Sequence, residues 1–438
     1  MKKFSLFCGA ILLLSACSST DPLDLDKDPV EIETNVDDFE NSDDKDQDNK
    51  GNHEIEKARI RLSEEERTAM ASINEFSYDL VCSYAKEYQQ SGNFSVSLVS
   101  VSVFLSMLAN ATDGEAQQEI FNLLNTNNLE AINSLSQKLM EYLPTETTGA
   151  SLSINNRFWV ADKYCVPEAF STTVKKFYNA DVVPVNFLNP ATVPAINQWV
   201  SLTTNGLIPG ILYENWETYK EASSIAANTV YFRALWASKF DETLTKKEPF
   251  STPGGKKITD MMHKTLKTEY ASNEHFQLVR LPYKSETNEL ELYLPNHDCS
   301  PEEMAALLTP DMQRSLYSKI NDYYVTLTMP KFETRSGQKS LNQILANLGA
   351  DKLFSAVYRP MGITDPSSHQ FTHETAIKVD EEGTELAAAT ADLVVTSNGN
   401  AVPHEPQSVT VTFDRPFIYL VRNSDTKAIL MAGVITNP

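Results

Sequence analysis

The side chains that carry most enzyme chemistry are present in this 438-residue chain, but they are not arranged to perform it. The seven histidines stand at positions 53, 263, 275, 297, 369, 373 and 404, without the spacing of a metal-ligand set. There is no GxSxG, HExxH, P-loop or GxGxxG sequence, so no nucleophile–base pair or phosphate cradle can be named. His373-Glu374 lies just ahead of Asp380-Glu381-Glu382, a grouping that could be weighed as a cation site. Acids crowded into a hinge are far more often a solvated rim than a ligand set, and no metal or other cofactor is expected. The segment that stands out is DEEGTELAAATADLVVTSNGN (380–400), an acidic turn running into an alanine tract and then small β-branched residues. It is too polar and small-sided for a core helix and too poor in glycine for a plain linker.

The formal charge of −22 argues against a nucleic-acid partner, because phosphate binding needs clustered Lys and Arg. Residues 18–56 hold 15 Asp or Glu against 3 Lys, a net of −12, with few apolar side chains. Such a stretch cannot offset the entropy of ordering and reads as a disordered tether. Ahead of it, Met1-Lys2-Lys3 and the run FSLFCGAILLLSA read as a secretory signal, too short for a bilayer span of about 20 residues. The run ends in Leu14-Ser15-Ala16-Cys17, which resembles the bacterial lipobox and implies cleavage before Cys17 and lipidation of its thiol. The expected organisation is a signal peptide over residues 1–16, a lipidated Cys17 with its acidic tether over 17–60, and a folded part over 61–438. Ser18 and the acids behind it favour an outer-membrane anchor, with the folded part outside the cytoplasm. Cys82, Cys165 and Cys299 are odd in number and widely spaced, and read as buried single thiols.

Length alone allows two or three domains. Ser63 and Glu66 have the spacing of a capping box, and Met70, Ile73, Phe76, Leu80 and Tyr84 follow at helical intervals. In the next segment Val-Ser-Val alternation leaves helix or strand open, while Leu98, Val101, Leu105 and Leu108 favour helix. The pattern stays mostly helical to about residue 215, with breaks at Asn128-Leu129 and Leu143-Pro144. From about 225 it changes: ELELYLP (289–295), YVTLTMPKF (324–332), SVTVTF (408–413), PFIYLV (416–421) and AILMAGVI (428–435) read as strands. RNSDTK (422–427) is a hairpin turn by composition. Helices first and strands later, without βαβ alternation, predict an α+β fold with large antiparallel sheets.

At residues 380–400 the chain resembles the serpins, and the resemblance runs through nearly all of residues 60–438. The inhibitory hinge pattern is matched by Glu381, Glu382, Gly383, Thr384, Glu385, Leu386, Ala387, Ala388, Ala389 and Thr390. Further matches are His373 ahead of AIKVD, NFSVSLVS (93–100), INQWVSLTTNGLI (196–208), NTVYFRALWASKF (228–240), LPY (281–283), PKF (330–332), LG (348–349) and RPF (415–417). The resemblance implies one domain of about nine helices and three mainly antiparallel sheets with an exposed reactive-centre loop. It implies no enzyme but a suicide inhibitor of serine proteases, active as a monomer. A protease attacks the loop, is held as an acyl complex, and is carried off as the cut loop inserts into the main sheet. Residues 384–397 would span roughly 45 Å extended at ~3.3 Å each.

By the family's spacing the scissile bond is Ser397–Asn398, with Thr396–Ser397 and Val395–Thr396 as alternatives. Ser97, Ser100, Asn228 and His373 carry over as a hydrogen-bonding cluster where the main sheet opens, and Trp236 to the top of that sheet. From 384 to 413 there is no Lys or Arg, and no aromatic before Phe413. Val394, Val395, Thr396 and Ser397 therefore suit the small primary pocket of elastase-like enzymes, with subtilisin-like and papain-like (cysteine) proteases next. The chain departs from the family pattern at Leu386, at Asp392 on the inserting face, at Leu98 where the family has proline, and in a long arm from Asn398 to Asp414. The alternative function is a non-inhibitory serpin that binds or supports at the surface.

Overall fold

The computed structural model describes residues 60–87, 92–146, 149–285, 287–335, 341–365, 368–384 and 407–438. It begins with α1 (Glu64–Glu87), whose start is the capping box read from the sequence. The Ser63 N–H donates to Glu66 Oε2 (2.6 Å), and the Glu66 N–H donates to Ser63 Oγ (3.2 Å). After β1 (Phe94–Val96) comes α2 (Leu98–Ala111), buried on nearly every side, as befits a helix apolar all round. Next are α3 (Gly114–Leu123) and α4 (Leu129–Tyr142), the latter capped by Asn128, whose Oδ1 accepts from the Ala131 N–H (3.0 Å).

The stretch expected to stay mostly helical then departs from that pattern. It holds β2 (Thr145–Glu146) and the long strand β3 (Ala150–Ala161), then α5 (Glu168–Tyr178), β4 (Asp181–Val185) and α6 (Thr192–Thr203). The reason lies in β3, whose even positions are buried throughout while Ser153, Asn155 and Arg157 on the other face are half-buried. Its buried face includes the polar Asn156, and Trp159 on the other face is covered by α6, so apolar and polar residues do not alternate cleanly along it.

From β5 (Ser224–Leu235) onward strands dominate: β6 (Lys246–Thr252), β7 (Gly255–Ser272), β8 (Phe276–Pro282) and β9 (Asn288–Pro295). Two short helices, α7 (Pro301–Leu307) and α8 (Pro310–Tyr317), precede β10 (Asn321–Pro330), β11 (Phe332–Arg335) and α9 (Leu341–Asn347). The last elements are β12 (His369–Glu374), β13 (Ala376–Val379), β14 (Gly383–Thr384), β15 (Gln407–Thr412), β16 (Phe417–Asn423) and β17 (Ile429–Ile435). Each of the five strands read from alternation is present.

Among the described residues these strands form two hydrogen-bonded sheets. One runs β11-β13-β14-β5-β3-β2, with β12 also on β5 and β4 on β3; the other runs β1-β17-β16-β9-β8-β7-β10-β15, with β6 on β7. The three sheets implied by the resemblance become two because β7 is 18 residues long and belongs to both of the last two. Its middle, residues 261–270, pairs with β10, and its end, residues 270–272, with β8. Helix α2 packs behind the first sheet against β5 and against β17 of the second. Helix α6 covers the other face of the first sheet, where Trp159 and Ile225 meet Val193, Ile196 and Val200.

The three cysteines form no disulfide, but the expectation that all are buried does not hold. Cys82 and Cys299 are half-buried against the core, whereas Cys165 is exposed in the turn after β3. No helix among the described residues is long and apolar enough to cross a membrane.

Candidate functional site

The quoted hinge begins as an ordinary strand end. β12 pairs in parallel with β5 from His369↔Ser224 to Glu374↔Thr229, and β13 continues the same path with β11 on its far side. The chain then turns at Asp380–Glu382, where the Asp380 N–H donates to Gly383 O (3.0 Å). The two residues after the turn re-enter the sheet between β13 and β5. Thr384 pairs with Val379 on one side and Ala234 on the other, and Gly383 pairs with Leu235. Glycine is required here by close approach: a Cβ on Gly383 would sit 2.2 Å from Ala234 O and 2.7 Å from Leu235 Cα. Thr384 is fully buried, and its hydroxyl is 2.7 Å from Tyr283 OH.

Hydrogen bonds from Trp236, Phe240, Lys331 and Thr245 fix the turn above this wedge. The Trp236 backbone N–H donates to Glu382 O (3.0 Å), and the Phe240 N–H to Glu381 O (2.9 Å). The Trp236 indole N–H donates to Asp380 O (2.9 Å), while its ring lies flat on Tyr283 at 4.7 Å. Glu381 is 4% exposed, and its carboxylate accepts from Lys331 Nζ (2.7 Å) and Thr245 Oγ1 (2.6 Å). Burial pushes this carboxyl up, but the Lys331 ammonium and the Thr245 hydroxyl outweigh it and hold it below the usual glutamate range.

Below the wedge, the residues assigned to the sheet-opening cluster come together. The Ser97 N–H donates to His373 Nε2 (3.1 Å), and Ser97 Oγ to Leu430 O (3.0 Å). The Ser100 hydroxyl donates to Asn228 Oδ1, and Asn228 Nδ2 donates to Asn156 Oδ1 (2.7 Å). His373 faces Asn228 across the β5–β12 ladder. Burial lowers the His373 pKa to about 4, so the ring is neutral at pH 7. With Nε2 accepting, the ring proton is on Nδ1, which has no hydrogen-bond partner among the described residues.

Glu385, Ala387, Ala388, Ala389 and Thr390 of the hinge, the bond candidates Val395, Thr396, Ser397 and Asn398, and Cys17 lie outside the described residues. Sequence reasoning passed over Tyr283, Lys331, Thr245 and Asn156, all of which touch the hinge or the cluster. Two of them, Tyr283 in LPY and Lys331 in PKF, stood in sequence marks of the resemblance without a role. No group of acids, histidines or cysteines that could hold a metal ion is found among the described residues.

Comparison with known proteins agrees with this geometry. A family model described as Serpin (serine protease inhibitor) matches residues 71–438. An uncharacterised serpin-like protein of Thermococcus kodakarensis is 29% identical over 381 residues, covering 85% of this chain and 87% of its own length. The leukocyte elastase inhibitor of Homo sapiens is 26% identical over 381 residues, covering 83% and 97%. The thermophilic serpin tengpin, in its native state, shares the fold with a TM-score of 0.74 at 24% identity, over 87% of this chain and 96% of its own. The matched span takes in both sheets and the hinge, and the chain belongs to the serpins, a family whose members typically inhibit proteases and are not themselves enzymes.

Proposed function

We propose that this serpin is an exported, lipid-anchored inhibitor that traps serine proteases of elastase-like specificity through cleavage at Ser397–Asn398 and insertion of the cut loop. The observation that carries the reading is the seating of Gly383 and Thr384 between β13 and β5. Continued down β5, that register sets Leu386 opposite Phe232, Thr390 opposite Asn228 and Val394 opposite Ser224. Val230, Phe232 and Ala234 are buried and Tyr231, Arg233 and Leu235 half-buried, while from Ser224 to Thr229 both faces are covered. Paired residues in a sheet share a face, so the even-numbered loop residues turn inward on insertion. Small side chains are what such a face can admit between packed strands. The native state is then a kinetic trap, held by a barrier.

The test is incubation with an elastase followed by a denaturing gel. A covalent complex that survives denaturation is expected, with a released fragment beginning at Asn398; cleavage without a complex overturns the inhibitory reading. Replacement Cys17→Ala is expected to move the protein from the membrane fraction to the soluble one. Retention in membranes would overturn the lipid anchor.

A second reading, a non-inhibitory binding serpin, is favoured by one residue. The same register sets Asp392 opposite Ala226, beside the buried ring of Phe371, and an unpaired carboxylate there is costly. The gel that tests the first reading decides between the two.

A further inference from the structure

The β5–β12 seam holds a second histidine that the family cluster does not account for. His369 and Ser224, the first pair of the ladder, are buried and joined side chain to side chain across the seam. Ser224 Oγ lies 2.8 Å from His369 Nδ1, while His369 Nε2 lies 3.0 Å from Ala356 O. A carbonyl can only accept, so Nε2 carries the proton and Nδ1 accepts from the Ser224 hydroxyl. The ring is stacked on Tyr358 at 3.7 Å, and the Tyr358 hydroxyl donates to Leu353 O (2.8 Å). Asn342 of α9 fixes the backbone, donating to His369 O (2.9 Å) and accepting from the Phe371 N–H (3.0 Å).

These contacts divide unequally between the two sides of the seam. Ala356, Tyr358 and Asn342 hold His369 on the β12 side, and Ser224 is its side-chain hydrogen bond to β5. If β5 and β12 part, the ring keeps the first set and loses Ser224, leaving Nδ1 a buried acceptor without a donor. His373, four residues up the same strand and on the same face, has the opposite tautomer and already lacks a partner for its free N–H. The two histidines thus differ in what opening removes.

We infer that His369 and Ser224 form a second clasp at the far end of the β5–β12 seam, which a strand inserting between β5 and β12 must break and which slows that insertion. The inference rests on the insertion reading proposed above. His369 and Ser224 are positioning residues, acting on the rate at which the sheet opens and touching no substrate in the closed state.

The experiment uses the full chain held just below its melting temperature and sampled over time for a heat-resistant, loop-inserted form, alongside chain whose loop has been cut by a protease. Ser224→Ala is expected to convert about 5- to 10-fold faster, the factor a neutral buried hydrogen bond commands. Ser224→Thr keeps the hydroxyl and is expected to convert at the parent rate within about twofold, a rescue that mere loosening of the seam does not predict. His369→Phe keeps the stacking on Tyr358 and is expected to accelerate conversion, with Ser224→Ala adding nothing in that background. A parent rate in Ser224→Ala, an equal acceleration in Ser224→Thr, or the same acceleration by Ser224→Ala in the His369→Phe background overturns the clasp while leaving insertion intact. A parent chain that gains no heat resistance even after loop cleavage overturns both readings. Should His369→Phe fail to fold, the contrast between Ser224→Ala and Ser224→Thr decides alone.

Discussion

Between β8, β9, β16 and α8 the molecule buries a network of charges and hydroxyls in which each member has partners. Glu291, fully buried, accepts from Arg280 (2.9 Å), Tyr293 OH (2.6 Å) and Tyr317 OH (2.5 Å). Arg422 donates to Tyr317 OH (2.8 Å) and Gln313 (3.2 Å), and the Arg280 and Arg422 guanidiniums lie over the Tyr317 ring at 4.4 and 5.3 Å. The seam between β5 and β12 treats polar groups otherwise. Its ladder stops at Thr229 and resumes through β14 at Ala234, and the His373 Nδ1–H has no partner among the described residues. A fully satisfied network rigidifies, whereas a half-satisfied one stores cost that a rearrangement can release. On the insertion reading proposed above, the contrast separates a frame that stays closed from a seam that parts.

Acidification strikes the seam hardest. Burial lowers the pKa of both His369 and His373 from 6.5 to about 4. Each accepts a hydrogen bond on one ring nitrogen, which protonation abolishes. The unfolded chain takes up these protons first as pH falls, so folded stability is complete above about 6.5 and declines down to about 4. The expected loss is about 3 kcal/mol for each histidine across that window. Chemical denaturation of the parent and of His369→Phe at pH 7.5 and 4.5 measures it. An equal pH dependence in parent and variant would remove His369 from the seam's account.

The frame is probed by Glu291→Leu. This leaves the Tyr293 and Tyr317 hydroxyls and part of the Arg280 guanidinium without their buried acceptor, although Arg280 keeps Glu269 (2.7 Å). Removing one partner of a buried ionic network costs about 3–5 kcal/mol. The expected signature is a lower unfolding midpoint with the fraction of trapped protease unchanged. A change in trapping at constant midpoint would mean that the frame also governs insertion.

The two regions were not equally legible in the sequence, and the reasons are physical. Ser63 and Glu66 declare a helix start three residues apart, and β9, β10 and β15 to β17 alternate or run compactly enough to be read locally. β3 escaped because polar Asn156 lies on its buried face and Trp159 on the other is covered by α6, which breaks its alternation. In the site, Gly383, Trp236 and the Ser97–Ser100–Asn228–His373 set were placed through ordered motifs. Tyr283 was not, since it meets Thr384 across 101 residues and nothing near LPY encodes that contact. His369 and Ser224, 145 residues apart, are one more pair made only by the ladder. Cys165 was assigned to the core because counting thiols says nothing about which side of a turn they occupy.

At the wedge itself, Gly383→Ala places a methyl against the Ala234 carbonyl oxygen, where backbone must move to admit it. The expected cost is about 1–3 kcal/mol, taken up by expelling β14 from the sheet. Protease is then expected to cleave the loop more often than it is trapped, read as a rising ratio of cut chain to covalent complex on a denaturing gel. An unchanged ratio would show that the seating of Gly383 and Thr384 is not a step toward insertion.

Trp236 stands at the border between the two regions, and the smallest effect is expected there. Trp236→Phe removes the indole N–H from Asp380 O but leaves an aromatic face for Tyr283. The loss is that of one hydrogen bond, about 1 kcal/mol, and it falls on the turn between β13 and β14. Loop-inserted form is therefore expected to appear several-fold faster on warming, while the global unfolding midpoint moves little. Hydrogen exchange at the Thr384 amide reports the same loosening locally. A global loss of about 3 kcal/mol or more would instead assign Trp236 to the closed frame through its packing on Tyr283 and Phe240. The boundary of the part that opens would then lie below Trp236, nearer to the Ser97 cluster.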